Sequence, residues 1–144
     1  PSLAWPTTAR VVELCADAGV RPVVTTKVHE RIPAGLLPVF SGLAQVQISL
    51  SGLQSYHQRV RRLAFAEALL NHGGDVVLRL VSAIYHPGSR QDAEQSLVIS
   101  WASKHGVPIL DTPLRVHRTT PTWDLLDQSR YTRRRKGFSR RTRC

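Results

Sequence analysis

The chain has 144 residues, 42% of them hydrophobic and 21% charged, a size and balance that suit one domain with its own core. No apolar run approaches the roughly 18–20 residues of a membrane span, and Cys15 and Cys144 are too few and too far apart for a disulfide framework. The net charge of +10 is uneven: eight of the 20 basic residues fall in residues 130–144 with no acidic companion, leaving 12 basic against 10 acidic before them. No secretory signal is visible, so a cytoplasmic setting is expected.

In chain order, residues 7–18 are predicted as a helix. Thr7 or Thr8 can cap it, Val11, Leu14, Cys15 and Ala18 recur at helical spacing, and Gly19 sits where a left-handed cap belongs. Residues 22–28 read as a strand by their β-branched content. Residues 32–43 carry a weaker helical pattern, interrupted by Pro33 and Pro38. Residues 45–50 form the second strand, closed by Ser51 and Gly52. The clearest helix covers 55–70, with Val60, Leu63, Ala64 and Leu70 on one face and Arg59, Arg61 and Arg62 mostly elsewhere. Asn71, His72, Gly73 and Gly74 stop it. Residues 75–85 are the third strand, broken by His86, Pro87 and Gly88. Ser89 can cap a helix over 90–104, which ends at His105 and Gly106. A fourth strand over 107–116 and a short helix around 123–128 lead into the basic segment.

Strands separated by helices of this length pair in parallel with right-handed crossovers. The expected fold is therefore α/β: parallel βα repeats forming a partial, half TIM-type barrel of four strands. Residues 1–129 are expected to be this domain and 130–144 a disordered basic tail. The chain contains no methionine, and it reads as a carboxyl-terminal part of a larger barrel. Either the missing amino-terminal half or self-association is expected to complete it.

Strands buried on both faces should be almost wholly apolar, and these are not. Thr25, Thr26 and Lys27 end the first; Gln47, Ser49 and Ser51 mark the second; Arg79 and Ser82 interrupt the third; Asp111, Thr112 and Arg115 interrupt the fourth. Ligands of parallel α/β sheets and barrels bind at the carboxyl ends of strands, so these residues point to a polar, anion-tolerant pocket.

Thr26-Lys27, then the run from Gln47 to Ser51, the run from Leu78 to Ile84, and Thr112-Pro113-Leu114-Arg115 together resemble the later strands of a radical S-adenosylmethionine partial barrel, most nearly the spore photoproduct lyase type. The resemblance covers about residues 21–116. It implies S-adenosylmethionine and a [4Fe–4S] cluster as cofactors, with Lys27 and Ser49, joined by Thr26 and Ser51, on S-adenosylmethionine. It also implies that Arg79 and Arg115, with Asp111, lie toward the substrate. One departure matters: the family's three-cysteine cluster loop is absent, so this chain cannot ligate the cluster and is expected to be catalytically silent by itself.

The six histidines show no metal-ligand spacing, and no metal site is expected among them. The basic segment supplies the alternative function, a small non-catalytic α/β protein that binds nucleic acid. Arg133, Arg134, Arg135, Lys136, Arg140 and Arg141 would neutralise phosphates, while Tyr131 and Phe138 stack on bases. The same segment could bring a nucleic-acid or nucleotide substrate to the barrel. No membrane partner is expected.

Overall fold

The computed structural model describes residues 4–134 and 137–141. Helix α1 (Ala4–Asp17) precedes strand β1 (Val23–Thr26). A 3-10 turn (Ala34–Leu36), preceded by Pro33, leads into helix α2 (Leu37–Leu43), where Pro38 sits in the first turn. Strand β2 (Gln45–Ser51), helix α3 (Tyr56–Asn71), strand β3 (Asp75–Ser82), helix α4 (Arg90–His105) and strand β4 (Ile109–Pro113) follow.

The four strands form one parallel sheet in the order β1-β2-β3-β4, alternating with helices. The sheet does not close into a barrel. Its two faces follow from the period of two. Val46, Ile48 and Leu50 of β2 and Val76, Leu78 and Leu80 of β3 are buried against Val12, Phe40, Phe65, Leu69 and Val98 of the helices. The alternate residues, Gln45, Gln47, Ser49 and Ser51 with Asp75, Val77, Arg79 and Val81, form the opposite, half-exposed face.

The helix ends obey local chemistry. Ser55 and Gln58 make a reciprocal capping box at the start of α3, and the Ser89 hydroxyl accepts from the Asp92 amide at the start of α4. Gly106 closes α4 in the left-handed region, φ 64°. His72 and His105 each donate from Nδ1 to a last-turn carbonyl, Ala68 and Trp101, at 2.8 Å.

Two expectations are corrected here. On α3 the buried face is Arg62, Leu63, Phe65, Ala66 and Leu69, whereas Val60 and Ala64 are exposed. The spacing 62, 65, 66, 69 turns an arginine inward, and its charge hid the stripe. The basic segment is also not a disordered tail over its described residues. Two 3-10 turns (Pro121–Leu125 and Gln128–Arg130) lead to an antiparallel hairpin of β5 (Tyr131–Arg134) and β6 (Gly137–Arg140). Its aromatic residues build a second core with Ala83, Tyr85, Val116, Trp123 and Leu126. Trp123 packs on both Phe138 and Tyr131, with ring centroids 4.7 and 6.1 Å apart.

Candidate functional site: an acid-free cleft at the strand ends

The chain leaves β1 through a strained corner. Val28 is buried yet adopts φ 49°, a left-handed conformation that a β-branched residue rarely takes. The Val28 amide donates to Thr26 Oγ1 at 3.0 Å. Helix α3 holds the corner from the other side: Arg62 Nε donates to the Lys27 carbonyl at 2.7 Å and Arg61 Nη1 to the His29 carbonyl at 2.5 Å. The strain ends the predicted strand two residues early and fixes Lys27 at the sheet's carboxyl end.

Arg62 is the centre of this arrangement. It is only 7% exposed. Besides the Lys27 carbonyl, its Nη1 reaches the Ser49 carbonyl at 3.1 Å and Gln54 Oε1 at 3.0 Å. All its partners are neutral, and desolvation lowers its pKa from the ordinary value. A buried cation normally has a carboxylate beside it; this one is held by carbonyls alone.

Gln54 is 4% exposed. Its Oε1 accepts from Arg62 and from the Ser51 amide at 3.3 Å, which fixes the orientation of the carboxamide. Its Nε2 is then buried without a hydrogen-bond partner among the described residues. Buried amide donors are nearly always satisfied, which makes this the unusual atom of the corner.

Around these two residues lies a cleft of about 320 Å³, lined also by Lys27, Ser49, Ser51 and Gln58, with Leu53 and Val81 as apolar wall. Among the described residues no Asp or Glu lines it. The first turn of α3, which begins beside it, carries no acidic residue either, so the positive end of the helix dipole is not offset there. What the cleft can do chemically is bind an oxyanion.

The sequence-selected residues divide as follows. Lys27, Ser49 and Ser51 line this cleft. Arg79 is the register partner of Ser49 on the same sheet face, half-buried, beside the cleft but not part of its lining. Thr26 does not join them. It lies on the helix-side face and borders a second cleft, also about 320 Å³, with Trp5, Thr8, His29 and Glu30. Among the described residues its lining has a carboxylate and no Lys or Arg. Asp111 and Arg115 do not join the cleft lining either: Asp111, on the edge strand, ion-pairs with Arg140 of the hairpin, and Arg115 is exposed beyond the end of β4.

Among the nucleic-acid candidates, Arg133 and Arg141 are exposed, while Arg140 is engaged by Asp111. The backbone of Arg134 belongs to β5. Arg135, Lys136 and Cys144 lie outside the described residues. Of the residues expected to stack on bases, Tyr131 is buried in the second core, its hydroxyl accepting from the Ile84 amide at 2.7 Å, and Phe138 is half-buried against that core. Sequence reasoning missed Arg62 and Gln54; the helical spacing of Arg62 with Phe65, Ala66 and Leu69 was the signal available.

Among the described residues no helix is long and apolar enough to cross a membrane. No protein-family model matches this chain, and neither a curated protein nor a solved structure matches it.

Proposed function

We propose that this chain is part of a βα barrel and grips the anionic group of a small-molecule ligand between the ends of β1 and β2 and the start of α3. One observation carries the reading: Lys27, Ser49 and Ser51 meet the buried Arg62 and the unpaired Gln54 amide in one acid-free cleft. The sequential order of the parallel strands, with intervening helices packed on one face, supports the half-barrel part of the proposal.

The resemblance to radical S-adenosylmethionine barrels offers one ligand. In that reading the carboxylate of S-adenosylmethionine meets Lys27, its hydroxyls meet Ser49 and Ser51, and Arg79 faces the substrate from the same side of the sheet. The residues present do not fit the [4Fe–4S] cluster. Cys15 stands on α1, and no group of three or more His, Cys, Asp or Glu residues able to hold a metal occurs among the described residues. No step through a cluster is derived, and the role proposed for this chain is binding.

Calorimetry with the full chain tests this. S-adenosylmethionine or inorganic phosphate should bind saturably, and Lys27→Met should weaken that binding at least tenfold without unfolding the protein. Anion binding unchanged by Lys27→Met would overturn the reading.

A second reading, phosphate-backbone binding by the C-terminal module, is favoured by a local excess of positive charge. Arg118 lies 5.3 Å over the Phe138 ring, and Arg133 is the cross-strand partner of Phe138. Arg115 adjoins Val116, which bridges to Phe138. None of the three arginines has an ion pair among the described residues. With the aromatic rings turned inward, such binding would read charge and not bases. Duplex DNA affinity should then fall steeply with salt, and the combined Arg118→Ser and Arg133→Ser variant should flatten that slope. An unchanged slope would rule this surface out.

A further inference from the structure

The cleft's ligand can be specified by asking which anion matches its free donors, a question that rests on the reading of the cleft as a ligand site. After the internal hydrogen bonds are formed, the Nε2 of Gln54 keeps both of its N–H groups. Arg62 has committed Nε and Nη1 to Lys27, Ser49 and Gln54, and Nη2 has no acceptor among the described residues. The Lys27 ammonium and the hydroxyls of Ser49 and Ser51 make no hydrogen bond within the described chain, and all three line the same cleft. Five side chains that line the cleft therefore keep unused donors, with two positive charges and no carboxylate among the described lining residues.

That inventory is lopsided in an informative way. An amino-acid group is a zwitterion, and its ammonium would sit beside Lys27 and Arg62 with no carboxylate to balance it, a like-charge contact in a partly desolvated cleft. A simple carboxylate has only two oxygens for donors arriving from several directions. A phosphate monoester has three terminal oxygens and close to two negative charges near neutral pH, so it can accept from all five side chains and offset both cations. The positive end of the α3 dipole, left without an acidic residue in its first turn, adds to the same preference.

Size points to an ester and not to the free ion. A cleft of about 320 Å³ far exceeds one phosphate, and Leu53 and Val81 form an apolar wall beside the polar end. We infer that the cleft binds the phosphate of a small phosphomonoester, with Gln54 and Arg62 as the buried half of a phosphate cradle and Lys27, Ser49 and Ser51 as its open half.

Gln54→Glu is the sharpest test because it keeps what Gln54 does for the fold. The remaining carboxylate oxygen still accepts from Arg62 and the Ser51 amide, and Arg62 gains a charge partner. The unpaired N–H₂ becomes an anionic oxygen facing the ligand. Full-chain protein is titrated with inorganic phosphate, a nucleoside 5′-monophosphate and S-adenosylmethionine, followed by competition between them. The monophosphate should bind more tightly than inorganic phosphate and be displaced by it. Gln54→Glu should lower its affinity at least tenfold while leaving Tm equal or higher.

Binding of S-adenosylmethionine that phosphate and the monophosphate fail to displace would overturn the phosphate assignment and leave the ligand cleft standing. Failure of all three to bind would overturn both. Phosphate binding unaffected by Gln54→Glu would place it elsewhere, on the arginines of the hairpin, and would also overturn the inference.

Discussion

Arg62 is where the fold and the proposed site depend on the same atoms. Its three hydrogen bonds tie the end of β1, the end of β2 and the turn before α3 to one guanidinium. Replacing it by Met removes the charge but keeps most of the volume, and strands the carbonyls of Lys27 and Ser49. A loss of about 1–3 kcal/mol is expected in urea unfolding, together with loss of anion binding. Unchanged stability would mean that the clamp holds nothing. Tyr85 gives a second test at this scale. It is 2% exposed, its hydroxyl is buried without a partner, and burial, reinforced by Tyr131, pushes its pKa from 10 up to about 12. A raised folded-state value means the stabilising contribution is complete below pH 10 and is lost as pH rises toward about 12. Tyr85→Phe cannot ionise, so its stability should fall less steeply than wild type between pH 10 and 12, read by chemical denaturation at each pH.

At the scale of elements, the joint between β2 and α3 leaves no room for a side chain at Gly52. A Cβ on Gly52 would lie 2.5 Å from the Tyr85 ring and 2.6 Å from the Gln91 carbonyl, and the latter is backbone that cannot swing away. Gly52→Ala is therefore expected to cost about 1–3 kcal/mol and to displace the cleft's Ser51–Gln54 edge, which lowers anion affinity as well. Wild-type stability in this variant would show that the turn has room the geometry denies. The four parallel strands and the helices between them were legible in the sequence, because β-branched runs and glycine stops are local signals. The ends were less so. Val28 looks like a strand residue, but its strained corner ends β1 at Thr26. Residues 83–85 continue the apolar pattern of β3, yet they leave the sheet to join the second core. In the site, Lys27, Ser49 and Ser51 were readable as polar residues at strand ends. Arg62 and Gln54 were not, because their role lies in what they bond across 35, 13 and 8 residues of chain.

For the whole molecule, the described part of the basic segment changes from an appendage to a structural part. The second core is joined to the sheet by Leu114 donating to the Ser82 carbonyl at 2.7 Å, and the segment that continues β3 is held in that core by Asp127 donating to the Ile84 carbonyl at 2.9 Å and Ile84 to the Tyr131 hydroxyl at 2.7 Å. Tyr85 adds a bridge to Leu126. Trp123, 8% exposed, anchors that core, so Trp123→Ala should destabilise by about 3–5 kcal/mol. The bond to β3 and those to the segment that directly continues it predict that this loss appears in a single cooperative unfolding transition. A separate early transition confined to residues 113–141 would contradict the coupling.

The two cationic regions, the strand-end cleft and the arginines around Phe138, are the alternative anion sites proposed for this protein. Amide chemical-shift mapping with a nucleoside 5′-monophosphate, on full-chain protein at moderate salt, separates them directly. The predicted result is saturable shifts concentrated at Lys27, Ser49–Ser55 and Arg62, abolished by Gln54→Glu. Shifts concentrated instead at residues 115–118 and 131–141, with the strand-end residues unmoved, would contradict the cleft as the ligand site.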